Sequence, residues 1–261
     1  MNNPNQLLHY QFTPSSSPND LPTIVFIHGL FGDLNNLGVI ARAFVENYPI
    51  LRLDLRNHGQ SFQSEIMDYP LMAQDVLRLL DALQLEQIIV VGHSMGGKVA
   101  MQLAALQPNR IKRLIVIDMA PITYPSNGHN DVFAGLFAVK NASVTTRQQA
   151  KPLLAEHIHS ESVQQFMLKS FDANSSERFR FHLSALWQNY PNLMAWQPIQ
   201  YNQPTLFIKG GLSDYIQAKD QQTIIQQFPQ ARAFTINGAG HWVHAEKPDL
   251  VIRAIERFLT K

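Results

Sequence analysis

The sequence predicts the α/β class: a mostly parallel, doubly wound sheet with a helical cap inserted between two of its strands. Three observations predict it. Short continuous runs of Ile, Val, Leu and Phe recur along the chain, each halted by Gly or Asp, as suits strands buried on both faces. Amphipathic helical stripes lie between them. One long stretch, 121–204, drops this rhythm altogether.

Taken in order, Leu7–Thr13 alternates loosely and predicts an edge strand, and Pro14–Pro22, rich in Ser and Pro, predicts a turn. The buried runs are Thr23–Ile27, Ile50–Leu53, Ile88–Val91, Leu114–Ile117, Thr205–Ile208 and Ala233–Ile236. Met72, Val76, Leu79, Leu80 and Leu83 form one helical stripe. Val251, Ala254, Ile255 and Phe258 form another behind Pro248, which suits a helix start. Alternation of strand and helix implies right-handed βαβ units. Residues 1–120 and 205–261 are therefore assigned to the core and 121–204 to the cap. The cap carries Phe133, Phe137, Phe166, Phe171, Phe179, Phe181, Trp187, Tyr190 and Trp196. Most of these are expected to build the cap's own small core, with a minority facing a cleft.

Composition narrows the function classes. The 261 residues carry a formal net charge of +1, so no strong field gathers nucleic acid or an anionic membrane. An apolar share of 45% with 16% charged residues is ordinary for a globular enzyme. There is no cysteine, which excludes a disulfide framework, a thiolate zinc site and a Cys nucleophile together, and fits a reducing cytoplasm. Met1–Gln6 has neither the basic nor the apolar region of a secretory leader. The apolar runs are strand-sized, well short of a membrane span. His157 and His159 form an H-x-H pair without a third ligand pattern, so a solvated helix face is expected there rather than a metal site. No cofactor motif is present.

The strongest chemical signal is Gly92-His93-Ser94-Met95-Gly96-Gly97, which follows one buried run and opens the helical pattern Lys98–Leu106. A serine on so sharp a strand-to-helix turn needs small residues two before and two after it. Ser94 then stands at a helix N-terminus, where developing negative charge is favoured, and the Met95 amide points to the same place. Ile27-His28-Gly29-Leu30-Phe31-Gly32 can supply the second oxyanion donor from Leu30, with Phe31 next. Asn237-Gly238-Ala239-Gly240-His241-Trp242 presents His241 as general base, and nearby His244 suits the entry to the last helix. His28 is expected to fix its loop. Asp54–Ser61 is expected to be a structural loop, with His58 outside the chemistry. His93, Phe31, Trp187 and Trp242 are the candidate substrate-binding residues.

A serine hydroxyl is a weak nucleophile, so an imidazole must take its proton, and a carboxylate must hold the other ring nitrogen. Two carboxylates compete. Asp214 follows the run Thr205–Ile208, but it also heads the helical pattern Tyr215–Phe228, where an N-cap is wanted regardless of chemistry. Asp118 ends a buried run beside the nucleophile run, where an unpaired carboxylate is costly. Asp118 is favoured and Asp214 is the second candidate.

H-G-L-F-G at 28–32, D-L-R-N-H-G-Q-S at 54–61, G-H-S-M-G-G at 92–97, I-D-M-A-P at 117–121 and G-A-G-H-W-V-H-A-E-K-P at 238–248 together resemble the YbfF-type esterases. These are bacterial α/β-hydrolases akin to the abhydrolase-domain-11 proteins. The resemblance implies the α/β-hydrolase fold, a flexible helical cap, and serine-dependent hydrolysis of acyl esters or acyl thioesters. It also implies that the D-x-A-P carboxylate, Asp118, is the more regular acid. The expected partner is a small-molecule ester or thioester. The same triad also serves carbon–carbon hydrolases and a lyase, whereas dehalogenases and epoxide hydrolases need Asp at the position of Ser94. A non-catalytic ligand-binding relative would be expected to lack a triad residue or an oxyanion glycine, and this chain keeps them.

Overall fold

The computed structural model describes residues 6–16 and 20–260. Residues 1–5, read above as lacking a leader, and 17–19 of the Pro14–Pro22 turn lie outside the described residues. Among the described residues one sheet contains β1 (Tyr10–Thr13), β2 (Thr23–Ile27), β3 (Ile50–Leu53), β4 (Ile88–His93), β5 (Ile111–Ile117), β6 (Thr205–Gly210) and β7 (Ala231–Ile236). Their spatial order is β1-β3-β2-β4-β5-β6-β7, all parallel except β1, which pairs antiparallel with β3 at the edge. β1 is shorter than the alternation over Leu7–Thr13 predicts, because only Tyr10–Thr13 finds partners on Ile50–Leu53.

The two faces of the sheet explain the continuous apolar runs of β2 to β6, whereas β7, at the sheet edge, buries only Ile236 fully and departs from the expectation of a run buried on both faces. On β2, Ile24 and Phe26 pack against α1 (Gly38–Arg42) and α11 (Pro248–Leu259). Val25 and Ile27 face the opposite way, towards α2 (Tyr69–Ala82) and α3 (Met95–Leu106). α2 buries Met72, Val76, Leu79 and Leu80, and its N-terminus is capped by Asp68, which accepts the Leu71 amide at 2.8 Å. α11 starts at Pro248 and buries Val251, Ala254, Ile255 and Phe258. α1 is a five-residue helix with no stripe long enough to read from sequence.

The helical pattern Tyr215–Phe228 is not one helix. A 3-10 turn at Ala218–Asp220 leads into α9 (Gln221–Gln227), and 214–217 is irregular. The carboxylate that accepts the Gln217 amide, at 2.8 Å, is Asp220, so Asp214 is not an N-cap; it is exposed. The final segment places α10 (Val243–Glu246) just ahead of α11. None of the helices among the described residues is long and apolar enough to cross a membrane.

Between β5 and β6 lie α4 (Asn130–Asn141), α5 (Arg147–Ala155), α6 (Glu161–Lys169), α7 (Leu183–Gln188) and α8 (Tyr190–Met194). His157 and His159 follow α5 in a loop rather than on a helix face. The aromatics of this segment do not form a separate core. Phe133 and Phe181 pack on Phe31 at ring separations of 5.2 and 5.1 Å, and one apolar cluster runs from them through Met95 and Val99 to the sheet. Lys98 adds a polar tie: it is buried on α3, and its Nζ donates to the carbonyls of Met194 and Ala195 at 3.2 and 3.3 Å.

Candidate active site

The carboxyl ends of parallel strands leave a crevice where the order of the sheet reverses, and Ser94 stands there, directly after β4. Its φ of 53° and ψ of −122° lie in a region most side chains avoid. The surroundings enforce that strain. The Ser94 amide donates to Ile117 O at 3.0 Å, and its carbonyl accepts Gly97 N–H at 2.8 Å. The small neighbours are required by contact: a Cβ on Gly92 would fall 2.2 Å from Gly96 O, and one on Gly96 would fall 2.3 Å from Ile27 O.

His241, on the loop between β7 and α10, reaches over this turn. Its Nε2 lies 2.9 Å from Ser94 Oγ, and its Nδ1 lies 2.8 Å from Asp118 Oδ2. Asp118 follows β5 at a φ of 52° and is fully buried. A carboxylate is costly there unless its oxygens are satisfied. Oδ1 accepts the Gly210 amide at 2.9 Å, and Oδ2 takes a second short bond from the Ser213 hydroxyl. Asp214, the second candidate acid, makes no hydrogen bond or ion pair with His241, whose carboxylate partner among the described residues is Asp118. The loop that carries it instead delivers the preceding residue, Ser213, to Asp118.

Of the oxyanion candidates, the Phe31 amide is engaged, donating to His58 Nε2 at 3.2 Å. Leu30 and Met95 N–H groups donate to no protein acceptor among the described residues. Leu30, Ser94 and Met95 line one small chamber of about 20 Å³. Phe31 contributes its ring instead, at a φ of 64°, to an adjoining cavity of about 270 Å³. Val163, Phe166, Met167 and Trp242 line the same cavity, so its wall is predominantly apolar. A wider groove of about 810 Å³ shares Asn36, Phe166, Trp242 and His244 with it.

The other predicted residues fall into place around this arrangement. His93 lines the cavity but is nearly buried, and its Nε2 donates to His241 O at 3.0 Å, which steadies the loop. Burial pushes its imidazole well below the ordinary histidine range, so it is neutral. His244, on α10, lies tilted against His93 with ring centroids 4.1 Å apart and is pushed down to about 3 by burial. His28 accepts the Leu55 amide at 3.0 Å, and His58, also pushed down to about 3 by burial, braces Phe31. Both are loop-fixing residues. Trp187 departs from expectation: it is 44% exposed, packs on Phe133 and Tyr190, and lines none of these cavities. α7 turns that edge to solvent.

Sequence reasoning missed three contributors. Ser213 stood next to a candidate acid but carried no signal of its own. Tyr215 stacks on the His241 ring at 3.9 Å. His129, directly before α4, lines the cavity and is hydrogen-bonded to both Tyr190 and Tyr215. Only a three-dimensional placement brings these together.

Chemically, a hydroxyl on a strained turn, an imidazole within proton-transfer distance, a buried carboxylate and two free amides form the constellation for acyl transfer. Comparison with known proteins agrees with that chemistry. Residues 22–248 match the family model described as the alpha/beta hydrolase fold. A putative esterase/lipase of Haemophilus influenzae is 60% identical over 98% of this chain and 89% of its own length. Esterase YbfF of Escherichia coli is 47% identical over 95% of this chain and 96% of its own. Among solved structures, a marine microorganism esterase at 32% identity superposes with a TM-score of 0.90, covering 97% of this chain and 99% of that one.

Proposed function

Because the chain belongs to the α/β-hydrolase family and is a serine ester hydrolase of it, we propose that Ser94 is its nucleophile, His241 its base and Asp118 the carboxylate partner. The substrates are carboxylic esters, and also thioesters, with short-to-medium acyl groups. The observation that carries this reading is the continuous hydrogen-bond chain from Ser94 Oγ through His241 to Asp118 Oδ2, beside an apolar cavity.

The steps follow from the geometry. Ser94 Oγ attacks the acyl carbon while its proton passes to His241 Nε2. The new oxyanion is held by the Leu30 amide of the loop after β2 and the Met95 amide at the N-terminus of α3. Asp118 stabilises the imidazolium and fixes its tautomer through Nδ1. The imidazolium then protonates the departing alkoxide or thiolate, which leaves through the wider groove. Water, deprotonated by His241, cleaves the acyl-enzyme, releases the carboxylic acid and returns the proton to Ser94.

Labelling with a fluorophosphonate, followed by mass spectrometry, tests the nucleophile: modification on any residue other than Ser94 overturns the assignment. A series of acyl 4-nitrophenyl esters tests the reaction class, since a carbon–carbon hydrolase or lyase, or a non-catalytic binding protein, leaves that series unhydrolysed. Ser94→Ala should abolish turnover with no loss of fold, since the hydroxyl meets only the His241 ring, whose loop is held separately by His93. A cytoplasmic location belongs to this proposal, supported by the lack of cysteine, and fractionation of cells expressing the chain tests it.

A further inference from the structure

Tyr215 lies in the loop between β6 and the 3-10 turn, outside the hydrogen-bond chain just described. Its phenol ring lies on the His241 imidazole with centroids 3.9 Å apart and planes 21° apart. Ring pairs usually meet edge-on or offset at larger separations, so this contact is close and nearly parallel.

The loop is built to keep the ring there. The Tyr215 amide donates to Ser213 Oγ at 3.3 Å, and Ser213 is itself bonded to Asp118. The Tyr215 carbonyl accepts the Tyr124 hydroxyl. Its own hydroxyl is hydrogen-bonded to His129 Nε2 at 3.3 Å, and His129 Nδ1 is hydrogen-bonded to the Tyr190 hydroxyl. Burial holds His129 neutral, pushing it down to about 4, so one of its nitrogens donates and the other accepts. Burial also raises the Tyr215 hydroxyl to about 12, which keeps the ring an uncharged phenol.

We propose that Tyr215 is a positioning residue for the base: its face holds the His241 ring in plane and stabilises the imidazolium that forms when Ser94 is deprotonated. The proposal rests on the reading of His241 as general base. A π face attracts a cation and is indifferent to a neutral ring, so the contact strengthens as the transition state is reached. The other groups that face His241 do not supply this. Asp118 meets Nδ1 and Ser94 meets Nε2, the Trp242 ring lies farther off and tilted, at 6.4 Å and 51°, and His93, His244 and His129 are neutral. The three hydrogen bonds that anchor Tyr215 run to Ser213, the partner of Asp118, on one side and to Tyr124 and His129 of the segment after β5 on the other, so the seating of that segment is transmitted to the base.

The test compares Tyr215→Leu and Tyr215→Phe by pH–rate profiles on a short-chain 4-nitrophenyl ester, with His241→Gln alongside. Leu removes the π face. We expect kcat to fall roughly 10-fold with KM little changed, and the acid limb of kcat/KM to move down by about half a pH unit or more. Phe keeps the face and should restore the position of the acid limb and most of kcat. If Tyr215→Leu does not reach the wild-type circular dichroism spectrum, Tyr215→Met is read in its place. An acid limb that stays put or rises in the aliphatic variant overturns the proposal, as does a Phe variant displaced as far as Leu. Activity surviving in His241→Gln overturns the underlying reading instead, so the two failures are distinguishable.

Discussion

Asp118 Oδ1 accepts the backbone amide of Gly210 at 2.9 Å, tying the end of β5 to the end of β6. That bond orients the carboxylate so that its other oxygen meets His241 Nδ1 and the Ser213 hydroxyl. The Asp118 carboxylate is thus held by the adjacent strand.

Asp118→Asn and Asp214→Asn should therefore behave differently. An amide at 118 presents N–H where His241 needs an acceptor, which selects the wrong tautomer. On the precedent of serine hydrolases, kcat should fall by about 10⁴ with little change in KM. Asp214→Asn, at an exposed position, should leave kcat within about 2-fold and stability within about 0.5 kcal/mol. Steady-state kinetics and melting curves read both, and a collapse confined to Asp214→Asn reverses the assignment.

Gly96→Ala should lose the fold before it loses the chemistry. The added methyl would meet Ile27 O at 2.3 Å and His28 O at 2.4 Å, both backbone atoms that cannot swing away. Overpacking against a rigid backbone predicts a loss of at least ~2 kcal/mol in urea denaturation. An unaltered midpoint would show that the elbow yields more easily than its contacts imply.

Trp242 and Trp187 should separate in an acyl chain-length series. Trp242 lines the apolar cavity, where each buried CH₂ contributes roughly 0.8 kcal/mol, or about 4-fold. Trp242→Ala should flatten the chain-length profile. Trp187→Ala should preserve it, because that indole faces solvent and packs on Phe133.

Lys98 makes stability depend on alkaline pH. Its Nζ lies over the rings of Tyr69, Tyr124 and Trp196, and burial lowers it from a lysine's ordinary 10.5 to about 7. Between those two values the unfolded chain binds a proton that the folded one does not. Stability therefore rises as pH increases from about 7 towards 10.5, and the contribution is flat below that window. Urea midpoints between pH 6.5 and 9.5 should climb in the wild type. Lys98→Met should remove most of that slope, and an equal slope in both proteins would assign it to other groups.

Much of this was written locally. Gly92, Ser94 and Gly96 announce a sharp strand-to-helix turn because only small residues pass it, and the short β-branched runs announce strands buried on two faces. His241 was legible for the same reason: a small-residue loop ending in histidine between a strand and the last helix. The one-turn helix α1 was not, since five residues carry no periodicity. Neither was the break at 214–217, where a helical apolar pattern was overruled by the loop that brings Ser213 and Tyr215 to the site.

By itself, the sequence determined the class of fold, the sharp turn at Ser94 and the loop that carries His241, because each is set by residues within one turn or one strand of each other. Tertiary structure decided what depended on distant segments meeting. It brought the Asp118 carboxylate, and not that of Asp214, to His241. It engaged Phe31 N–H with His58, leaving the Leu30 and Met95 amides free. It turned Trp187 outward and Trp242 inward. A carboxylate, an amide or an indole carries the same local propensities wherever its partner lies, so its role is fixed only when another strand or helix packs against it.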